Sequence, residues 1–136
     1  MPLGQTIDDF RDHVRTFASV FAHVIVADGP GGHGYFLLGS AQPITLEAAD
    51  VRAVLARPGV VADLSSAYDS PVTTAAAWTQ EILSLVRLTG PGVERFAGPG
   101  PLVTDDQPRP EYFLLRSMFG APSPQLTSQS LDAPTP

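Results

Sequence analysis

The chain contains no cysteine. Disulfide frameworks, zinc–thiolate centres and thiol nucleophiles are therefore excluded. It contains no lysine either: all eight basic residues are arginine, and they are scattered along the sequence. Charged residues make up only 16% of the chain, and the formal charge is −6. There is thus no clustered basic surface of the kind that nucleic acid or an anionic membrane requires. The acidic balance is compatible with a cationic partner such as a polyamine, although ordinary solubility is the plainer explanation. No apolar run reaches the roughly 18 to 20 residues that span a bilayer. The N-terminus lacks a basic segment followed by an apolar one, so no signal peptide is visible and the cytoplasm is the expected location.

What is present is a core with long irregular connections. The 136 residues suffice for one domain, and they include 12 Gly and 14 Pro, which break the chain into short elements. Phe10, Val14, Phe17, Ala18 and Phe21 recur at helical spacing, with Thr6 as N-cap and Asp8 and Asp9 in the first turn, and predict a helix over 7–21. Arg11 and Arg15 fall on its other face. Val24-Ile25-Val26 and Tyr35-Phe36-Leu37-Leu38, separated by the glycine-rich Asp28–Gly32, read as a β-hairpin near 23–28 and 34–39. Neither strand alternates with polar residues, which predicts that both faces are covered. Thr45 is a cap for a helix over 46–56. Ser70-Pro71 reads as the start of a helix running to 89, stopped by Gly90-Pro91. Residues 90–112 read as a Gly/Pro loop, and 120–136 as a disordered Pro/Ser/Thr-rich tail after a domain of residues 1–119. There is no internal repeat.

The segment Thr104-Asp105-Asp106-Gln107-Pro108-Arg109-Pro110-Glu111-Tyr112 concentrates three carboxylates and two prolines ahead of the apolar Phe113-Leu114-Leu115. Two prolines so close remove backbone donors and force an extended loop. Carboxylates on such a loop can hold a protonated amine or a divalent cation. They can equally pin the loop by accepting backbone N–H bonds, with Arg109 or another arginine pairing Glu111. This segment resembles the C-terminal signature of spermidine synthase-like proteins, in particular the bacterial type often fused to membrane transporter segments. A second match lies at Gly34–Ser40 with Pro43-Ile44, where the family has a glycine-bounded apolar strand. The resemblance spans roughly residues 3–116.

It implies an α/β fold, the C-terminal part of a methyltransferase-type Rossmann sheet, whose last strand runs antiparallel. It also implies the activity of such enzymes, aminopropyl transfer from decarboxylated S-adenosylmethionine to putrescine. The candidate substrate-binding residues are Asp105, Asp106, Glu111 and Tyr112, although in the family this segment looks like a packing and closing motif. The glycine turn and ribose-binding acid that hold the cofactor have no counterpart here. The expectation is therefore of no cofactor-binding, metal-binding or catalytic residue in this chain, and of a portion inert alone. Met1–Gln5 resembles the family's strand end just before the helix, so that Met1 is expected to be an internal methionine or a truncation point.

Other features weigh less. Gly29-Pro30-Gly31-Gly32-His33-Gly34 joins two strands and contains a proline, which makes a poor cofactor cradle. Tyr68-Asp69-Ser70-Pro71 reads as a helix cap rather than a catalytic motif. His13, His23 and His33 lack the spacing of a helical metal site, and Ser65, Ser66 and Ser70 lie in no nucleophile elbow. Trp78 falls off the main stripe of its helix; core packing is its first reading, a second contact surface or docking point the other. Two alternatives stand beside the aminopropyltransferase reading: a non-catalytic binding or self-assembly module, and a carboxylate-metal hydrolase using Asp105, Asp106 and Glu111. For the module, the expected contact is the open edge at Val24–Val26 or the apolar face of helix 7–21, meeting a second copy or a partner strand.

Overall fold

The structure, a computed structural model, describes residues 6–32, 34–108, 112, 115, 118–119 and 124–131. The chain is mixed α/β, with a three-stranded antiparallel sheet and helices. Helix α1 spans Ile7–Val20 and is followed by β1 (His23–Asp28), β2 (Tyr35–Ser40), α2 (Ala48–Leu55), α3 (Val60–Ala67), α4 (Ala75–Ser84), β3 (Val86–Thr89) and α5 (Pro91–Ala97). Short 3₁₀ turns lie at Pro30–Gly32 and Ser128–Leu131.

Helix α1 begins where its capping residues dictate. The Asp9 backbone N–H donates to Thr6 Oγ1 over 3.2 Å, and the Thr6 N–H donates back to Asp9 Oδ2 over 3.3 Å. This reciprocal box satisfies two amides that the helix leaves without partners. The predicted apolar face is the one that buries: Phe10 and Val14 are in the core, and Phe17, Ala18 and Phe21 pack against it.

The sheet order is β2-β1-β3, so β1 is the inner strand. Its side chains alternate. Val24 and Val26 enter a core with Phe10, Val14, Val93, Phe96 and Ala97 from α1 and α5. Leu37 and Leu88, which pair with Val26 from either side, pack on the same core. Ile25 and Ala27 lie on the opposite face and are also buried. A second, helical layer forms where α2 packs on α3 and α4, with Leu55, Trp78 and Thr79 buried.

Four expectations are overturned here. The helix predicted over 71–89 is shorter: Thr74, not Ser70, caps α4, its Oγ1 accepting from the Ala77 N–H over 3.2 Å. Residues 86–89 then leave the helical path and become β3, because pairing with β1 packs Leu88 against the core and occupies an edge that would otherwise stand open. It follows that the edge expected to be exposed at Val24–Val26 is closed on both sides, and the apolar face of α1 is covered by the chain's own core. The loop expected over 90–112 contains α5, whose Val93, Phe96 and Ala97 bury at helical spacing behind Pro91 in the first turn. The segment predicted as a disordered tail packs over 124–131: Leu126 and Leu131 join the core, and the Ile7 N–H donates to the Pro124 carbonyl over 3.1 Å.

Two further differences are local. Helix α2 starts at Ala48 after Glu47, so Thr45 does not cap it. Helix α3, behind Gly59 at a left-handed φ of 84°, has no strong apolar period in the sequence and was not expected.

Candidate functional site

The acidic segment leaves the core on a well-anchored path. Arg15 on α1 reaches across to the end of α5. Its Nη2 donates to the Ala97 carbonyl over 2.6 Å, Nε to Gly98 over 2.9 Å, and Nη1 to Pro101 over 2.8 Å. Nη1 also lies 2.7 Å from Asp12 Oδ1, which holds the guanidinium from behind. A cation at the last carbonyls of a helix complements both their lone pairs and the helix dipole. At the next residue of α1, Thr16 Oγ1 accepts the Val103 N–H over 2.7 Å and donates to the Asp12 carbonyl over 2.8 Å. The strap 98–103 is thus tied to α1 at several successive points.

Beyond the strap, Thr104 and Gln107 form a tight turn, the Gln107 N–H donating to the Thr104 carbonyl over 2.9 Å. Asp105 and Asp106 occupy its two central positions and are exposed. Aspartate is at home there because its side chain tolerates turn conformations. Tyr112 is 52% exposed. Glu111 and Arg109 lie outside the described residues, so the expected Arg109–Glu111 pairing lies outside them too. Among the described residues, no group of three His, Asp or Glu side chains converges to hold a metal ion. Two adjacent carboxylates on a solvated turn can attract a cation but supply no enclosed geometry for it.

Among the described residues, two clefts lie elsewhere. One, of about 290 Å³, opens at the end of the sheet between α1 and α5, lined by Phe21, His23, Ile44, Thr89, Val93 and Glu94. His23 and Glu94 both line it, beside apolar side chains of α1 and α5. His13 sits on α1, away from this cleft, and His33 lies outside the described residues. The other, of about 330 Å³, lies under the hairpin loop, lined by Asp28, Gly31, Gly34, Tyr35, Glu81 and Leu85. Arg87 Nε stands 3.6 Å from Asp28 Oδ2 and balances one of its two acids. The glycines of this loop serve to reverse the chain: Gly31 and Gly34 have φ of 64° and 85°, which side chains rarely adopt. They open no helix of the kind that cradles a cofactor.

Trp78, 1% exposed, is a core residue. Its indole N–H donates to Ser65 Oγ over 3.0 Å and to the Val72 carbonyl over 3.1 Å, and Ser65 Oγ also bonds to that carbonyl. Ser65 is thus a structural hydroxyl. Ser70 Oγ accepts from the Val72 N–H over 3.2 Å and shapes the connection into α4.

The sequence reading missed two surface residues, Phe36 and Leu38 on β2, each 44% exposed on the face turned away from α1. The solid apolar run implied coverage on both faces. The signal for exposure was weak: β2 lacks the β-branched density of β1. Comparison with known proteins finds no matching family model, curated relative or solved structure. Among the described residues, no helix is long and apolar enough to cross a membrane.

Proposed function

We propose that this chain is the C-terminal portion of a spermidine synthase-like aminopropyltransferase, closing the enzyme's sheet rather than carrying its chemistry. One observation carries this reading. A capped helix, α1, runs directly into an antiparallel hairpin, and the hairpin's second strand, β2, has no strand on its outer side among the described residues. In the methyltransferase-type sheet that the sequence resembles, the last strand runs antiparallel. The outer edge of β2 is then the seat for a strand of the cofactor-binding half. That half would hold decarboxylated S-adenosylmethionine and the base that deprotonates putrescine. The exposed turn at Asp105 and Asp106, with the exposed Tyr112 beyond it, would serve as an acidic element able to attract the protonated ends of a polyamine.

Aminopropyl transfer to putrescine tests this. It is measured on the chain alone and on the chain joined to whatever is encoded in frame upstream. The longer product is expected to form spermidine. The chain alone is expected to form none, and to bind decarboxylated S-adenosylmethionine no tighter than about 10 μM, close to 7 kcal/mol. Transfer by the isolated chain, or an upstream frame with no strand and glycine-rich turn, contradicts the reading.

A second reading, a non-catalytic module that joins another chain through its sheet, is favoured by the lack of charge along β2.

A further inference from the structure

The two outer strands of the sheet are built differently. β3 is four residues long, its register against β1 shifts between Val26 and Ala27, and it carries Arg87 next to Asp28. Shortness, irregularity and charge are the devices that keep an edge from pairing with another chain. β2 has none of them. Its six residues, Tyr35–Ser40, pair regularly with β1 along their whole length, about 20 Å. They include no proline and no charge. The neutrality extends well beyond the strand: in a chain of net charge −6, no Asp, Glu, Lys or Arg occurs between Asp28 and Glu47. The strand itself therefore adds no like-charge contact to the general repulsion between two chains of charge −6.

The side chains are also self-complementary. Phe36 and Leu38 are two residues apart on one face of β2, each 44% exposed. An antiparallel pair with its two-fold axis at Leu37 sets Phe36 of one copy directly opposite Leu38 of the other, twice. Such aromatic–aliphatic cross-strand pairs stabilise a sheet, and an isologous contact of this kind closes as a dimer.

The geometry points to the outer edge of β2 as a homodimer interface, two copies of this chain joining their sheets into one of six strands. The contact is small beside the roughly 800 Å² per partner of a standard stable interface, so the dimer is weak and depends on concentration. The aminopropyltransferase reading seats a strand of a cofactor-binding half on this same edge, so the two exclude each other within one molecule: the dimer is a property of the chain by itself, read by mass, whereas that reading is tested by transfer in the longer product.

Sedimentation equilibrium from about 10 μM to about 1 mM tests it. The average mass is expected to rise from 14.4 kDa toward twice that value. Leu38→Lys, at an exposed position, is expected to keep the native circular dichroism and hold the mass at that of the monomer. Arg87→Ala, on the opposite edge, is expected to leave the rise intact. If Leu38→Lys disturbs folding, Phe36→Lys is read in the same way. A native chain that stays monomeric throughout, a rise unaffected by a lysine on β2, or a rise abolished by Arg87→Ala overturns the proposal.

Discussion

Arg15 and Asp12, three residues apart on α1, share a 2.7 Å ion pair, with both side chains at most 14% exposed. The same guanidinium holds the carbonyls of Ala97, Gly98 and Pro101. One side chain thus joins α1 to the end of α5 and to the strap that follows.

Replacing Arg15 by alanine strips these carbonyls of their donor and leaves Asp12 without this cation. A loss of about 3 kcal/mol in unfolding free energy is expected from urea denaturation. Arg15→Lys is expected to recover only part of it, since an ammonium cannot span several carbonyls as the planar fork does.

Gly39 on β2 faces α1 closely. A Cβ placed there would come within 2.5 Å of the Phe21 ring and 2.6 Å of the Phe17 ring. Gly39→Ala is therefore expected to destabilise by about 1–3 kcal/mol through overpacking, read as a lower denaturation midpoint. No loss would mean that α1 does not lie against β2.

Trp78 contributes both volume and a donor. Trp78→Phe removes the bond to Ser65 Oγ and the Val72 carbonyl, and is expected to cost about 1–2 kcal/mol. Trp78→Ala also opens a cavity and is expected to cost about 3–5 kcal/mol. Far-UV circular dichroism follows both transitions, since each variant loses the chain's single tryptophan.

Asp105 and Asp106 are exposed on a turn. Changing both to asparagine is expected to alter stability by less than about 0.5 kcal/mol. In a putrescine titration followed by amide chemical shifts, the native chain is expected to respond at Asp105, Asp106 and Tyr112, and the double variant not to respond. Shifts confined to other residues would remove this turn from the candidate site.

What was legible in the sequence follows from how local each signal was. Helix α1 was readable because cap, first-turn acids and apolar stripe agree, and all three act within a few residues. The hairpin was readable because its turn is written in glycines. β3 was not, since Val86–Thr89 continues a helical stripe and becomes a strand only by pairing with β1, some sixty residues earlier. Leu126 and Leu131 escaped notice for a similar reason: in a polar segment rich in proline they gain meaning only from the core they reach. For the acidic segment, the sequence indicated an irregular acid-bearing loop. The Arg15 and Thr16 contacts that anchor the strap before it depend on tertiary placement and left no local trace.

The claim on which both functional readings rest is that β1 is an inner strand and β2 presents an open edge. Amide hydrogen exchange on the dilute, monomeric chain tests it most directly. Alternate residues of an antiparallel strand direct their N–H groups to opposite sides. The account predicts slow exchange along Ile25–Ala27, which β2 and β3 enclose, and a strictly alternating pattern along Tyr35–Ser40, with the amides directed away from β1 exchanging fast. Uniform protection across β2 in the monomer, or fast exchange at alternate positions of β1, would contradict it.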